Sequence, residues 1–117
     1  MPVVSDYEVI QRDPVQIRPD NTYTRQFNTG GRHSGGSAFI TFSIRSLGEA
    51  EDVPVQVNNL TIGQLRNYHG MDARNWFTQT LVFSSNILKN GSNNLEIQVN
   101  QGDLILDNII VHFKQSA

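Results

Sequence analysis

The chain has 117 residues and a formal charge of -2 at pH 7, which suits one domain over residues 1–117 and gives no basic footprint for a nucleic-acid backbone. Charged residues make up only 17%, below the roughly 25% of typical soluble domains. Twelve Asn, nine Gln, nine Ser and seven Thr carry the polarity instead, so the surface is neutral and rich in both donors and acceptors.

Cysteine is absent, which removes disulfide scaffolds, thiolate zinc sites and cysteine nucleophiles. No apolar run approaches the ~18 residues of a membrane span, and Met1 to Asp6 lacks the basic and apolar regions of a signal peptide. The sequence therefore predicts a soluble chain with no membrane partner, and it leaves the compartment open.

Strand patterns run the length of the chain. Tyr7 to Arg12 and Asn21 to Phe27 read as short strands. Ala38 to Arg45 alternates, with Ala38, Ile40, Phe42 and Ile44 on an apolar face and Phe39, Thr41, Ser43 and Arg45 opposite. Between them, residues 28–37 form a glycine-rich stretch expected as a flexible loop.

Pro54 to Asn58 turns Val55 and Val57 inward. Ile62 to Tyr68 and Ser85 to Lys89 are the two places where a helical turn fits. Trp76 to Ser84 places Phe77, Leu81 and Phe83 on one parity, interrupted by Gln79. Asn94 to Asn100 alternates cleanly around Leu95, Ile97 and Val99. Leu104 to Phe113 is apolar on both parities at its start, which predicts a strand partly covered on both sides. About eight short strands with turns between them predict an all-β, antiparallel β-sandwich or jelly roll.

The stretch Val55 to Val99 carries an ordered series of motifs: Val55-Gln56-Val57-Asn58, then Ile62-Gly63, then Trp76-Phe77, then Leu88, Gly91, Asn93, Leu95, Ile97 and Val99. This series resembles the galactose-binding-like β-sandwich family, found in carbohydrate-binding modules and in glycosidase accessory domains. Asn59 stands where the family's pattern has Gly, and Asn tolerates the left-handed backbone better than most residues. Independently of the family, Gly91 permits a positive φ and Asn93 can bond its own backbone at the corner. Leu88 then folds over the open end of the sandwich. The resemblance implies a jelly-roll fold and raises carbohydrate as a ligand class. The family often carries a structural calcium, for which Asp20-Asn21, Asp52 and Asp107 are candidate oxygen donors, although solvated turn acids are the preferred reading of these residues and no cofactor is the expectation.

The connection Leu65 to Trp76 is the most side-chain-rich. Arg66, Tyr68, His69, Asp72, Arg74 and Trp76 combine aromatic faces for a sugar's C–H surface with planar groups for its hydroxyls. A lone strand-opening Trp is also a common core residue. Arg32 and His33, in the glycine-rich loop, complete the candidate ligand set if both loops share one end. That loop lacks the Lys and following helix of a phosphate loop. His33, His69 and His112 have no zinc spacing.

Enzyme signatures are absent: no nucleophile elbow and no carboxylate pair beyond the acidic run Glu49, Glu51 and Asp52. The leading expectation is a non-catalytic, lectin-like module for a neutral glycan or glycoconjugate. A single shallow site is weak, and multivalency would compensate, so a homo-oligomer or a place in a larger array is expected. The alternative is a structural or assembly sandwich, with the apolar last strand as an intersubunit face.

Overall fold

A computed structural model describes residues 3–19, 22–33, 35–45, 53–66, 76–99 and 104–116. Nine strands form along these residues: β1 (Val3–Gln11), β2 (Val15–Ile17), β3 (Thr22–Asn28), β4 (Ser37–Arg45), β5 (Val53–Val57), β6 (Leu60–Leu65), β7 (Phe77–Ser84), β8 (Ser92–Gln98) and β9 (Leu104–Ser116). The sole helical element among them is a 3-10 turn at Ser85–Ile87.

Two antiparallel sheets face each other. One has the order β1-β9-β4-β7 with β2 also paired to β9; the other has the order β3-β8-β5-β6. The alternation seen in the sequence builds the core between them. Ile40, Phe42 and Ile44 of β4 meet Val55 and Val57 of β5 and Leu95 and Ile97 of β8, all fully buried. Burying each such side chain stabilises the fold by about 1.5–3 kcal/mol.

Three details depart from the expected elements. Leu60–Leu65 is a strand, so the helical turn expected over Ile62 to Tyr68 does not form within its described part. The reason is the two-residue turn before it. Asn58 and Asn59 both take positive φ, 52° and 68°, and that turn folds β6 straight back onto β5. The short β2 is set by pairing with Leu104–Leu106 and has too few residues for a pattern of its own.

The third is β9. It is central, with β1 and β2 on one side and β4 on the other. Its register against β4 shifts between Thr41 and Ser43, next to Asn108 with φ 46°. This bulge switches parity, so Leu104 and Leu106 point inward before it and Ile109, Val111 and Phe113 after it. The apolar character on both parities comes from that switch.

The turn before β8 follows the predicted chemistry. Gly91 has φ 125°. Leu88 is 1% exposed and Asn93 is 2% exposed. The Asn93 amide donates to Thr29 Oγ1 (2.7 Å) and Gly91 O (3.0 Å), and its Oδ1 accepts from Lys89 N (2.6 Å) and Asn58 Nδ2 (2.8 Å). One buried amide thus joins the segment after β3, the β5–β6 turn and the loop before β8.

Candidate functional site

The connection between β6 and β7 begins at Arg66 and ends at Trp76. Gln79 sits on the inner parity of β7 and is 8% exposed. Its Oε1 accepts from Arg66 N at 3.1 Å and its Nε2 donates to Arg66 O. The polar interruption in an otherwise apolar parity is therefore a clamp that fixes where this connection leaves the sandwich.

Trp76 continues the parity of Thr78, Thr80 and Val82, which stand outward, and it is 42% exposed. The core role common for a strand-opening Trp does not apply here. Arg66 is also exposed. Tyr68, His69, Asp72 and Arg74 lie outside the described residues.

Arg32 and His33 lie at the other end of the sandwich. The register Ser37↔Ser84 at one end of β4 and Ile44↔Phe77 at the other separates the two groups by seven residue steps, roughly 23 Å. Arg32 and His33 therefore do not share an end with Arg66 and Trp76. Nor is the start of the glycine-rich segment a loose loop. Thr29 N donates to Gly91 O, Gly31 N to Asn90 Oδ1, and His33 N to Lys114 O. Ser85 Oγ donates to His33 O, and Arg32 bridges to Gln115. Arg32 Nε and Nη1 are buried with no acceptor among the described residues, so part of this guanidinium is turned into the protein.

Of the calcium donors, Asp20, Asn21 and Asp52 lie outside the described residues. Asp107 Oδ1 accepts from Asn108 Nδ2 at 3.2 Å. No group of three His, Cys, Asp or Glu side chains converges among the described residues.

The outer face of the five-stranded sheet carries a feature that residue patterns by themselves did not single out. Tyr7 pairs with His112, His112 with Phe39, and Phe39 with Val82, giving one cross-strand row. The Phe39 and His112 rings stack at 4.4 Å with planes 12° apart, and Tyr7 lies 6.3 Å from His112, tilted by 36°. The sequence signal was Phe39 on the polar parity of β4. It could be read as a row only once the strand order was known.

No protein-family model and no curated protein matches the chain. Solved structures do. A β-porphyranase of glycoside hydrolase family 86 from the human gut bacterium Bacteroides plebeius superimposes with a TM-score of 0.71 at 23% identity, over 97% of this chain and 21% of that one. A family 35 carbohydrate-binding module from Clostridium thermocellum superimposes with a TM-score of 0.60 at 13% identity, over 91% of this chain and 97% of that one. The chain shares their antiparallel β-sandwich architecture, which fits a galactose-binding-like fold. The C-terminal domain of EclA, a sugar-binding protein, shares it with a TM-score of 0.52 at 16% identity, over 86% of this chain and 77% of that one. The chain thus spans about a fifth of the porphyranase and nearly the whole of the family 35 module. No helix among the described residues is long and apolar enough to cross a membrane.

Proposed function

We propose that the chain is a non-catalytic carbohydrate-binding domain that takes a neutral glycan or glycoconjugate at the Arg66 to Trp76 connection. The observation that carries this reading is the exposure of Trp76, 42%, at the mouth of a connection anchored by the buried Gln79 clamp. An exposed indole offers a large apolar face to sugar C–H groups. Arg66, Tyr68, His69, Asp72 and Arg74 supply the hydroxyl-binding groups along the same connection, and Arg32 and His33 take no part. The likeness to a family 35 carbohydrate-binding module and to a sugar-binding domain supports the ligand class.

One shallow site binds weakly, so self-association or a place in a longer chain supplies the avidity. Isothermal titration with a panel of neutral oligosaccharides tests the reading. Binding by the parent chain that falls at least tenfold in Trp76→Ala is expected. Unchanged binding in that variant would move the site elsewhere.

A second reading, an assembly domain without a small ligand, is favoured by Val3, Val4 and Val82, exposed by 42%, 46% and 62% on the five-stranded sheet. Light scattering separates the two: a strict monomer at high concentration counts against assembly.

A further inference from the structure

The sandwich has four long edges: β1 and β7 bound one sheet, β3 and β6 the other. An edge strand leaves a row of N–H and C=O groups open to another strand, and folded proteins blunt such edges with charges, bulges or side-chain caps. Three of these edges are blunted. On β1, Tyr7 N–H donates to Asp6 Oδ1 at 2.8 Å, and Asp6 and Glu8 would meet like charges in a second copy. On β3, Arg25 Nη1 donates to Thr24 O at 2.9 Å, so a guanidinium lies along that edge. On β6, the register against β5 shifts between Val55 and Gln56, and such a bulge bends an edge out of line.

β7 has none of these devices. Its register against β4 runs unshifted from Ser37↔Ser84 to Ile44↔Phe77. No charged residue occurs from Trp76 to Leu88. Just past β7, Ser85 N–H donates to Gly36 O at 3.0 Å. The odd positions of β7 therefore bond β4, and Thr78, Thr80 and Val82 turn their N–H and C=O groups to the edge. No side chain among the described residues caps these groups. The three side chains are exposed as well, Val82 by 62%.

We propose that the β7 edge pairs with the β7 edge of a second copy of this chain, antiparallel about a two-fold axis at Thr80, joining two five-stranded sheets into one. The proposal rests on the assembly reading above and gives it a surface; the carbohydrate reading stands or falls apart from it. The occupant is a second copy because the edge is complementary to itself. Thr80 faces Thr80 of the second copy, Thr78 faces Val82, and each open N–H meets a C=O. Thr–Thr and Thr–Val pairs suit facing strands, and no like charges are brought together. A charged peptide would find no counter-charge on β7.

The same geometry sets Trp76 and its copy on one continuous outer face, eight residue steps apart, roughly 27 Å. Two Arg66 to Trp76 connections would then face one way, as a bivalent arrangement needs. A single strand pairing buries well under the roughly 1,600 Å² of a standard interface, so the expected dissociation constant is on the order of 100 μM.

Sedimentation velocity of the whole chain from about 10 μM to about 1 mM tests the pairing, with Thr80→Lys at the β7 edge and Ser5→Lys at the β1 edge as control. Both positions are exposed, so the fold is expected to survive, and far-UV circular dichroism checks it. The chain has no cysteine, so Thr80→Cys and Ser5→Cys report contact at each edge by disulfide cross-linking without background. The expected result is a concentration-dependent dimer, weakened at least tenfold by Thr80→Lys and unchanged by Ser5→Lys, with cross-linking through Thr80→Cys alone. A dimer that survives Thr80→Lys, or cross-links equally through Ser5→Cys, would overturn the β7 pairing and leave assembly to another surface. A strict monomer at the highest concentration would overturn the pairing and the assembly reading together.

Discussion

Asn93→Ala tests how the corner of the sandwich is held. The side chain is 2% exposed and makes bonds to Thr29, Gly91, Lys89 and Asn58. Most of its partners retain a second bond. Thr29 Oγ1 still donates to Lys89 O, Asn58 Nδ2 to Ile87 O, and Gly91 O still accepts from Thr29 N. Lys89 N–H is the group that loses its acceptor. Lys89 is exposed and this bond is only part-buried, so its orphaned donor costs about 1 kcal/mol, the low end for such groups, and each net hydrogen bond lost costs about 1 kcal/mol more. With most partners compensated, the expected loss is about 3 kcal/mol. For a domain of this length that lowers Tm by roughly 12 °C. Urea denaturation followed by fluorescence, with thermal unfolding alongside, gives both quantities. Asn86→Ala is the control, since Asn86 is exposed and its side chain makes no such network; its expected change is within about 0.5 kcal/mol. A loss below about 1 kcal/mol in Asn93→Ala, or one no larger than the control's, would refute the view that a single buried amide ties these segments together.

Gly91→Ala should destabilise by about 1–3 kcal/mol in urea denaturation through backbone strain alone, because φ is 125° and no atom lies within 4 Å of the added Cβ; a neutral outcome would mean that the turn relaxes. Gln79→Leu removes both bonds to the Arg66 backbone. Water can reach Arg66, so stability should fall by about 1 kcal/mol or less, while titration calorimetry should show glycan affinity reduced at least threefold. Burial raises the Tyr23 pKa above its ordinary value, with Arg25 opposing the rise. The folded state therefore holds this proton more tightly than the unfolded chain, and the associated stability is complete below the ordinary tyrosine pKa and lost as pH rises through the folded one. Denaturation at stepped alkaline pH should show that decline, and Tyr23→Phe should flatten it. The same variant should cost about 1 kcal/mol at neutral pH through the lost 2.9 Å bond to Gln11 Oε1.

The alternating strands were readable because a half-buried strand writes its inside and outside in successive residues. Val55, Val57, Leu95, Ile97 and Val99 are all buried as that pattern requires. The Asn58-Asn59 and Gly91 to Asn93 turns were readable because few residue types tolerate their backbone. β6 was missed because Thr61, Gly63 and Gln64 lack an apolar period. Gly63 is small for a tertiary reason: a Cβ there would stand 3.0 Å from Leu81 Cδ2. The β9 bulge hid the true parity of that strand. For the candidate site, composition marked the Arg66 to Trp76 connection, but nothing local could tell that Arg32 and His33 stand at the opposite end. That depends on strand order, which non-local pairing decides. The same limit concealed the Tyr7–His112–Phe39 row, whose members are 32 or more positions apart in the chain.

Carbohydrate binding itself is tested most directly by applying the purified chain to an array of neutral glycans and following any positive signal by titration. The expected result is saturable, millimolar or tighter binding to at least one neutral oligosaccharide, with the Trp76 indole fluorescence changing on binding. Absence of binding to every glycan at millimolar sugar would contradict it.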